Sequence, residues 1–159
     1  MSADMLVKLY ELPDDWSFLH AQKDQGIIIR KPIGPEKYLI VQWIKDHFND
    51  YWASEAEVAI FNSPRTCFVA IKEKEFIGFS CYDATALGMF GPIGVAESYR
   101  GRGTGKALLL AALLDMKLKG YQYAVIGLTS LYEFYNKAVG ATVIPDSVPG
   151  FWKTRVTEN

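Results

Sequence analysis

The stretch GPIGVAESYRGRGTGKALLLAALLDMKLK, Gly91 to Lys119, decides how this chain folds. It reads as the end of a strand, a basic glycine-rich turn and a long apolar helix in immediate succession. In the turn, Gly101, Gly103 and Gly105 alternate with Arg102, Thr104 and Lys106 behind Arg100. The main chain can therefore approach a ligand closely while cations crowd around it. Ala107 to Leu114 is an unbroken helix-compatible run, so the N–H groups of the turn become a helix N-terminus with its positive dipole end facing outward. A phosphate or diphosphate fits such a place.

Spacing separates the phosphate-binding loops that compete for this stretch. A Walker loop needs a glycine where Arg100 stands and a Ser or Thr where Ala107 stands. The dinucleotide fingerprint fails from either possible start, because Lys106 or Leu108 falls at its third glycine. What remains is R-x-x-G-x-G, Arg100 to Gly105, after a strand ending near Val95. A second segment, FYNKAVGA from Phe134 to Ala141, follows downstream.

In these two segments the chain resembles the GNAT superfamily of N-acetyltransferases, over roughly Gly26 to Arg155. The resemblance implies a mixed α/β fold: a central, mostly antiparallel sheet with one splayed parallel strand pair, flanked by about four helices. It implies acetyl-CoA as co-substrate, with the diphosphate on Arg100, Gly101, Arg102, Gly103, Thr104, Gly105 and Lys106. The pantetheine arm would lie against the main chain of Ile93, Gly94 and Val95. It makes Tyr135 the proton donor to the departing thiolate, with Tyr132 as a rival one turn earlier. It also points to an acceptor pocket built from the loop between the first helices and the loop before the last strand, with Asp50, Tyr51, Trp52, Glu55 and Phe151 as lining candidates. Three positions depart from the family pattern: Leu128 replaces a common asparagine, FYNKAVGA carries one additional residue before its last glycine, and Ala141 replaces an aromatic.

The rest of the chain supplies elements for such a fold. Residues 1–25 hold a short apolar alternation, Leu6, Val7, Leu9 and Tyr10, stopped by Pro13-Asp14-Asp15, which suggests an edge strand or an extension outside a core of residues 26–155. Ile27 to Arg30 reads as a strand. Pro35 opens a helix of about fourteen residues whose apolar positions Ile40, Trp43, Ile44 and His47 share one face, with Trp43 expected toward the core. Ser54 and Glu57 form a capping-box pattern for a second helix reaching Phe61. Cys67 to Ile71 and Phe76 to Tyr82 should pair across Lys72 to Glu75. Residues 87–95 form a strand interrupted at Pro92, which cannot donate to a ladder, or a loop with strand only at its end. An interrupted strand leaves main-chain groups open to an extended ligand. Strands at 121–128, 141–144 and 151–156, with a helix at 131–139, complete the reading.

Composition narrows the function. The chain of 159 residues reads as one domain; half of it is hydrophobic and 14% aromatic, which excludes disorder. A net charge of −1 gives no reason to expect nucleic acid. Cys67 and Cys81 lack a second pair at ligand spacing, so a metal site is not expected and buried reduced thiols are. No leader or long apolar run is visible, which suggests a cytoplasmic protein with no membrane partner. The reading leaves room for a homodimer.

Acetyl transfer to a primary amine of a small molecule or peptide also needs a base. Asp83, Glu97 and Glu133 are candidates and none is singled out, while His20 and His47 are no better placed. The missing asparagine and base leave a second reading open: a catalytically silent acyl-CoA-binding sensor or interaction module.

Overall fold

A computed structural model describes residues 1–158. Its strands are β1 (Ala3–Lys8), β2 (Ile27–Arg30), β3 (Cys67–Lys72), β4 (Glu75–Tyr82), β5 (Met89–Val95), β6 (Tyr123–Thr129) and β7 (Thr142–Val143). The α-helices are α1 (Phe18–Lys23), α2 (Lys37–His47), α3 (Asp50–Phe61), α4 (Thr104–Lys119) and α5 (Tyr132–Val139). All seven strands join one sheet in the order β2-β3-β4-β5-β6-β1-β7, antiparallel throughout except for the pair β5 and β6. This is the mixed, GNAT-like sheet with one parallel pair that the resemblance implies.

The parallel pair is joined by α4, whose leucines and alanines leave no broad polar face. Leu108, Leu109 and Leu113 are fully buried against one side of the sheet, each worth about 1.5–3 kcal/mol of burial. A Cβ at Gly78 would stand 3.0 Å from Leu108 Cδ1, so the bare strand lets α4 seat closely. The helix stops at Gly120, whose φ of 109° is open to glycine and strained for other residues. The opposite side of the sheet is covered by α2 and α3, with Ile40, Ile44, Ala56 and Ile60 packed on Val69, Phe79 and the free, buried Cys67 and Cys81.

Three expectations are corrected. The N-terminal strand is interior: β1 lies between β6 and β7, with Met5, Val7 and Leu9 buried in the α4 core. Helix α3 begins at Asp50, capped by Asn49, whose side chain accepts from the Trp52 N–H at 2.9 Å. Ser54 is thus inside the helix, and Glu57 pairs with Lys37. Trp43, half-buried, packs against the α2–α3 core as expected and also stacks on His47 at 4.3 Å between ring centroids. Residues Gly150–Thr154 form a short 3-10 helix where a strand was expected. The edges of β6 are taken by β5 and β1, so no place beside it is left for a final strand.

Candidate functional site

The glycine turn is shaped by its own residues and then pinned from elsewhere. Gly101 and Gly103 have φ of 84° and 78°, conformations that strain any residue with a Cβ. A Cβ at Gly101 would point into open space, so only a bare backbone leaves that approach clear. The first helical bond of α4 runs from Ala107 N–H to Gly103 O at 3.0 Å, so the N–H groups ahead of Ala107 precede the ladder. Arg100 Nε donates to Val95 O at 3.2 Å, tying the turn to the end of β5. Arg102 lies over the Tyr99 ring at 5.1 Å.

The pin is Gln22 of α1, a side chain only 3% exposed. Its Nε2 donates to Arg102 O at 3.0 Å, and its Oε1 accepts from Thr104 Oγ1 at 2.7 Å. Gln25 Nε2 donates to the same carbonyl at 3.0 Å. A carbonyl held inward by two amides turns the adjoining peptide planes, and with them the N–H groups, the other way.

Beside the turn the sheet splays. Strand β5 pairs with β6 only at Met89 and Phe90, yet it continues to Val95. Beyond Phe90 its β6-facing edge has no strand partner, starting at Gly91, one residue before Pro92. A cavity of about 410 Å³ occupies this opening, bounded by β5, β6, α3 and α5. Ile93 lines it. The other two predicted strand positions are used differently: Gly94 admits the Phe48 ring, which a Cβ would meet at 2.5 Å, and the Val95 carbonyl accepts from Arg100.

Tyr135 lines the cavity from α5 and is 4% exposed; burial pushes its phenol up from 10.0 to about 12. The rival Tyr132 does not line the cavity and donates to Met1 O at 2.9 Å. From α3, Tyr51, Trp52 and Glu55 line the opposite wall. Asp50 does not: it starts the helix, exposed, 3.8 Å from Lys45. Phe151 does not either, since the 3-10 turn leaves it outside and presents Trp152 and Arg155 to the cavity.

None of the acids weighed as bases reaches the cavity. Asp83 accepts from Gly88 N–H, Tyr121 OH and Lys119 in a structural knot. Glu133 pairs with Lys137, and Glu97 lies in the turn before Arg100. Glu55 is the one carboxylate among the described lining residues, and Thr85 Oγ1 donates to it.

Sequence reading missed a second buried anchor, Asp4 of β1. Its Oδ1 accepts from Leu128 N–H at 2.8 Å and from Trp152 Nε1 at 3.2 Å. Leu128, with φ of 43°, thus gives its N–H to the protein at the place where the resembled family commonly has an asparagine. No local spacing rule links position 4 to position 152, or position 22 to position 104. The only signal was a polar residue inside an apolar alternation. Among the described residues no helix is long and apolar enough to cross a membrane, and no group of His, Cys, Asp and Glu is placed to hold a metal ion.

Residues 63–138 match the model of the acetyltransferase (GNAT) domain, a span that contains β3, the splay, the glycine turn and Tyr135. No curated protein sequence matches the chain. Among solved structures, it is similar to the GCN5-related glucosamine N-acetyltransferase region of a fungal multi-domain GH3 β-N-acetylglucosaminidase. That match has a TM-score of 0.71 at 16% identity, covering 90% of this chain and 20% of the other. A GCN5-related N-acetyltransferase from Sphaerobacter thermophilus gives 0.69 at 19% identity, over 90% of this chain and 48% of that one. The chain therefore spans about a fifth and about half of the lengths of these two. A GNAT family acetyltransferase from Brucella melitensis, in complex with acetyl-CoA, gives 0.53 at 18% identity over 69% and 80%. At such identities these structures show the fold, which is GNAT-like, and residues 63–138 carry the match to the acetyltransferase (GNAT) domain.

Proposed function

We propose that residues 1–155 work as one unit that transfers an acetyl group from acetyl-CoA to a primary amine. The observation that carries this reading is the arrangement of three things along β5. A turn of glycines presents main-chain N–H groups ahead of α4, β5 and β6 part beyond Phe90, and a buried phenol meets a carboxylate across the gap. The Brucella relative bound to acetyl-CoA supports the choice of co-substrate.

The residues present fit that molecule. Gly101 to Lys106 would hold the diphosphate through main-chain N–H groups, with Arg102 and Lys106 as added charge. The unpaired edge of β5 around Ile93 would bond the pantetheine amides. Bound acetyl-CoA supplies the activated acyl thioester. Glu55, directly or through a water, takes the proton from the attacking ammonium and so frees the lone pair. As the new C–N bond forms and the C–S bond breaks, the nitrogen releases its second proton to solvent, while Tyr135 gives its proton to the sulfur and regains one from solvent. The thiolate of a thiol of pKa about 8.5 is a weaker base than a phenolate, so the help is in timing and placement, and burial keeps the phenol protonated at neutral pH.

The silent-module reading rested on a missing base and a missing asparagine; Glu55 on the cavity wall speaks against the first, and Leu128 leaves the second in place. A screen of amines with a thiol-release readout, beside CoA calorimetry, tests the proposal. Release that depends on both acetyl-CoA and an amine is expected; CoA binding with no release across a broad panel would favour the silent module.

A further inference from the structure

The acceptor side of the cavity carries two opposite charges that do not meet. Glu55 reaches it from α3 and Arg155 from the segment after the last 3-10 turn. Among the described residues neither belongs to an ion pair, with each other or with any third side chain. Each is instead held in place by neutral neighbours. Thr85 donates to the Glu55 carboxylate. The Arg155 guanidinium lies over the rings of Tyr51, at 5.0 Å, and Trp152, at 5.8 Å. Trp152 is anchored in turn by its indole N–H on buried Asp4.

A guanidinium resting on aromatic faces keeps its N–H edge for a planar oxyanion. A carboxylate across the same cavity suits an ammonium. An acceptor that brings only an amine would satisfy Glu55 and leave Arg155 facing the ligand unmatched. We infer that the acceptor is an amine that also carries a carboxylate, an amino-acid-like zwitterion whose nitrogen faces Glu55 and Tyr135 while its carboxylate faces Arg155. This rests on the transfer reading above and names the substrate class for the same site.

The test uses the whole chain with acetyl-CoA and matched acceptor pairs in which only one member carries a carboxylate: tyrosine against tyramine and lysine against cadaverine. The quantity read is the ratio of kcat/KM within each pair. The wild type should favour the member with the additional carboxylate by about tenfold or more, the size of one hydrogen-bonded charge contact. Arg155→Met should bring the ratio near one, and Arg155→Lys should restore part of it. Arg155 is exposed, so neither change threatens the core. A wild-type ratio near one or below, or a ratio that survives Arg155→Met, overturns the zwitterion while leaving amine acetylation standing. Failure to acetylate either member of any pair, with CoA binding retained in calorimetry, removes the transfer reading and this inference together.

Discussion

At the scale of single residues, Tyr135 is the position where sequence and structure meet most directly. The Phe-Tyr-x-Lys context points to Tyr135, and the helix places it on the cavity while Tyr132, one turn back, binds Met1 O. Tyr135→Phe should keep the Kd for acetyl-CoA and lower kcat by a factor of about 10² to 10⁴, the usual worth of a positioned acid. Tyr132→Phe, which loses only a half-exposed contact, should stay within a few-fold. The pH profile carries the sign of the same assignment. Burial raises the Tyr135 pKa from 10.0 to about 12, so its proton is retained as pH rises through 10 and is lost only toward 12. The profile of kcat should therefore show no falling limb near pH 10 that Tyr135→Phe abolishes; such a limb would mean an exposed, ordinary phenol. Glu55 was legible only as a wall residue, because the sequence cannot show that Asp83 is consumed by Tyr121 and Lys119 while Glu55 faces the gap.

At the scale of elements, local chemistry was readable wherever it acts locally. The glycine turn, the apolar α4 and its Gly120 stop follow from neighbours in sequence, and so does the interruption at Pro92. Where two local signals competed, the sequence could not rank them. Both Asn49 and Ser54 can cap a helix, and burial of Ala53, Ala56, Ala59 and Ile60 along one face favours the earlier start. Asn49→Ala should cost about 1 kcal/mol in urea unfolding, whereas Ser54→Ala, inside the helix, should stay within about 0.5 kcal/mol. Equal costs would return the cap to Ser54. The segment FWKTRV failed as a strand for a different reason: β5 and β1 already take the two sides of β6, and the 3-10 turn that forms instead hands the Trp152 indole to Asp4. Strand pairing is a property of the sheet, which no window of six residues contains.

At the scale of the whole molecule, the site is assembled from parts distant in sequence, so ligand and fold should be linked. Coenzyme A binding only to the folded chain should raise stability by about 2.7 kcal/mol at a hundredfold excess over Kd, read as a melting temperature that climbs with concentration. No shift with millimolar CoA, but a shift with NAD or ATP, would reject the co-substrate.

The N-terminal residues offer the sharpest whole-molecule test, because they reach both halves of the cavity by separate contacts. Gln22 of α1 holds the glycine turn through Arg102 O and Thr104 Oγ1, while Asp4 of β1 holds Leu128 and Trp152 on the acceptor side. Gln22→Leu removes two hydrogen bonds worth about 1 kcal/mol each and frees the turn, so the Kd for acetyl-CoA should rise roughly tenfold or more. S-acetylpantetheine has no diphosphate, so the variant should turn it over as the wild type does, which general destabilisation would not allow. Asp4→Leu removes the carboxylate oxygen that the Leu128 N–H and the Trp152 indole share, so the indole loses its anchor. Its acceptor KM should rise several-fold while acetyl-CoA affinity stays within about twofold. The two variants should thus fail in opposite halves of the reaction. If both instead lose stability alone, with equal effects on the two substrates, the N-terminal segment supports the sheet and does not position the site.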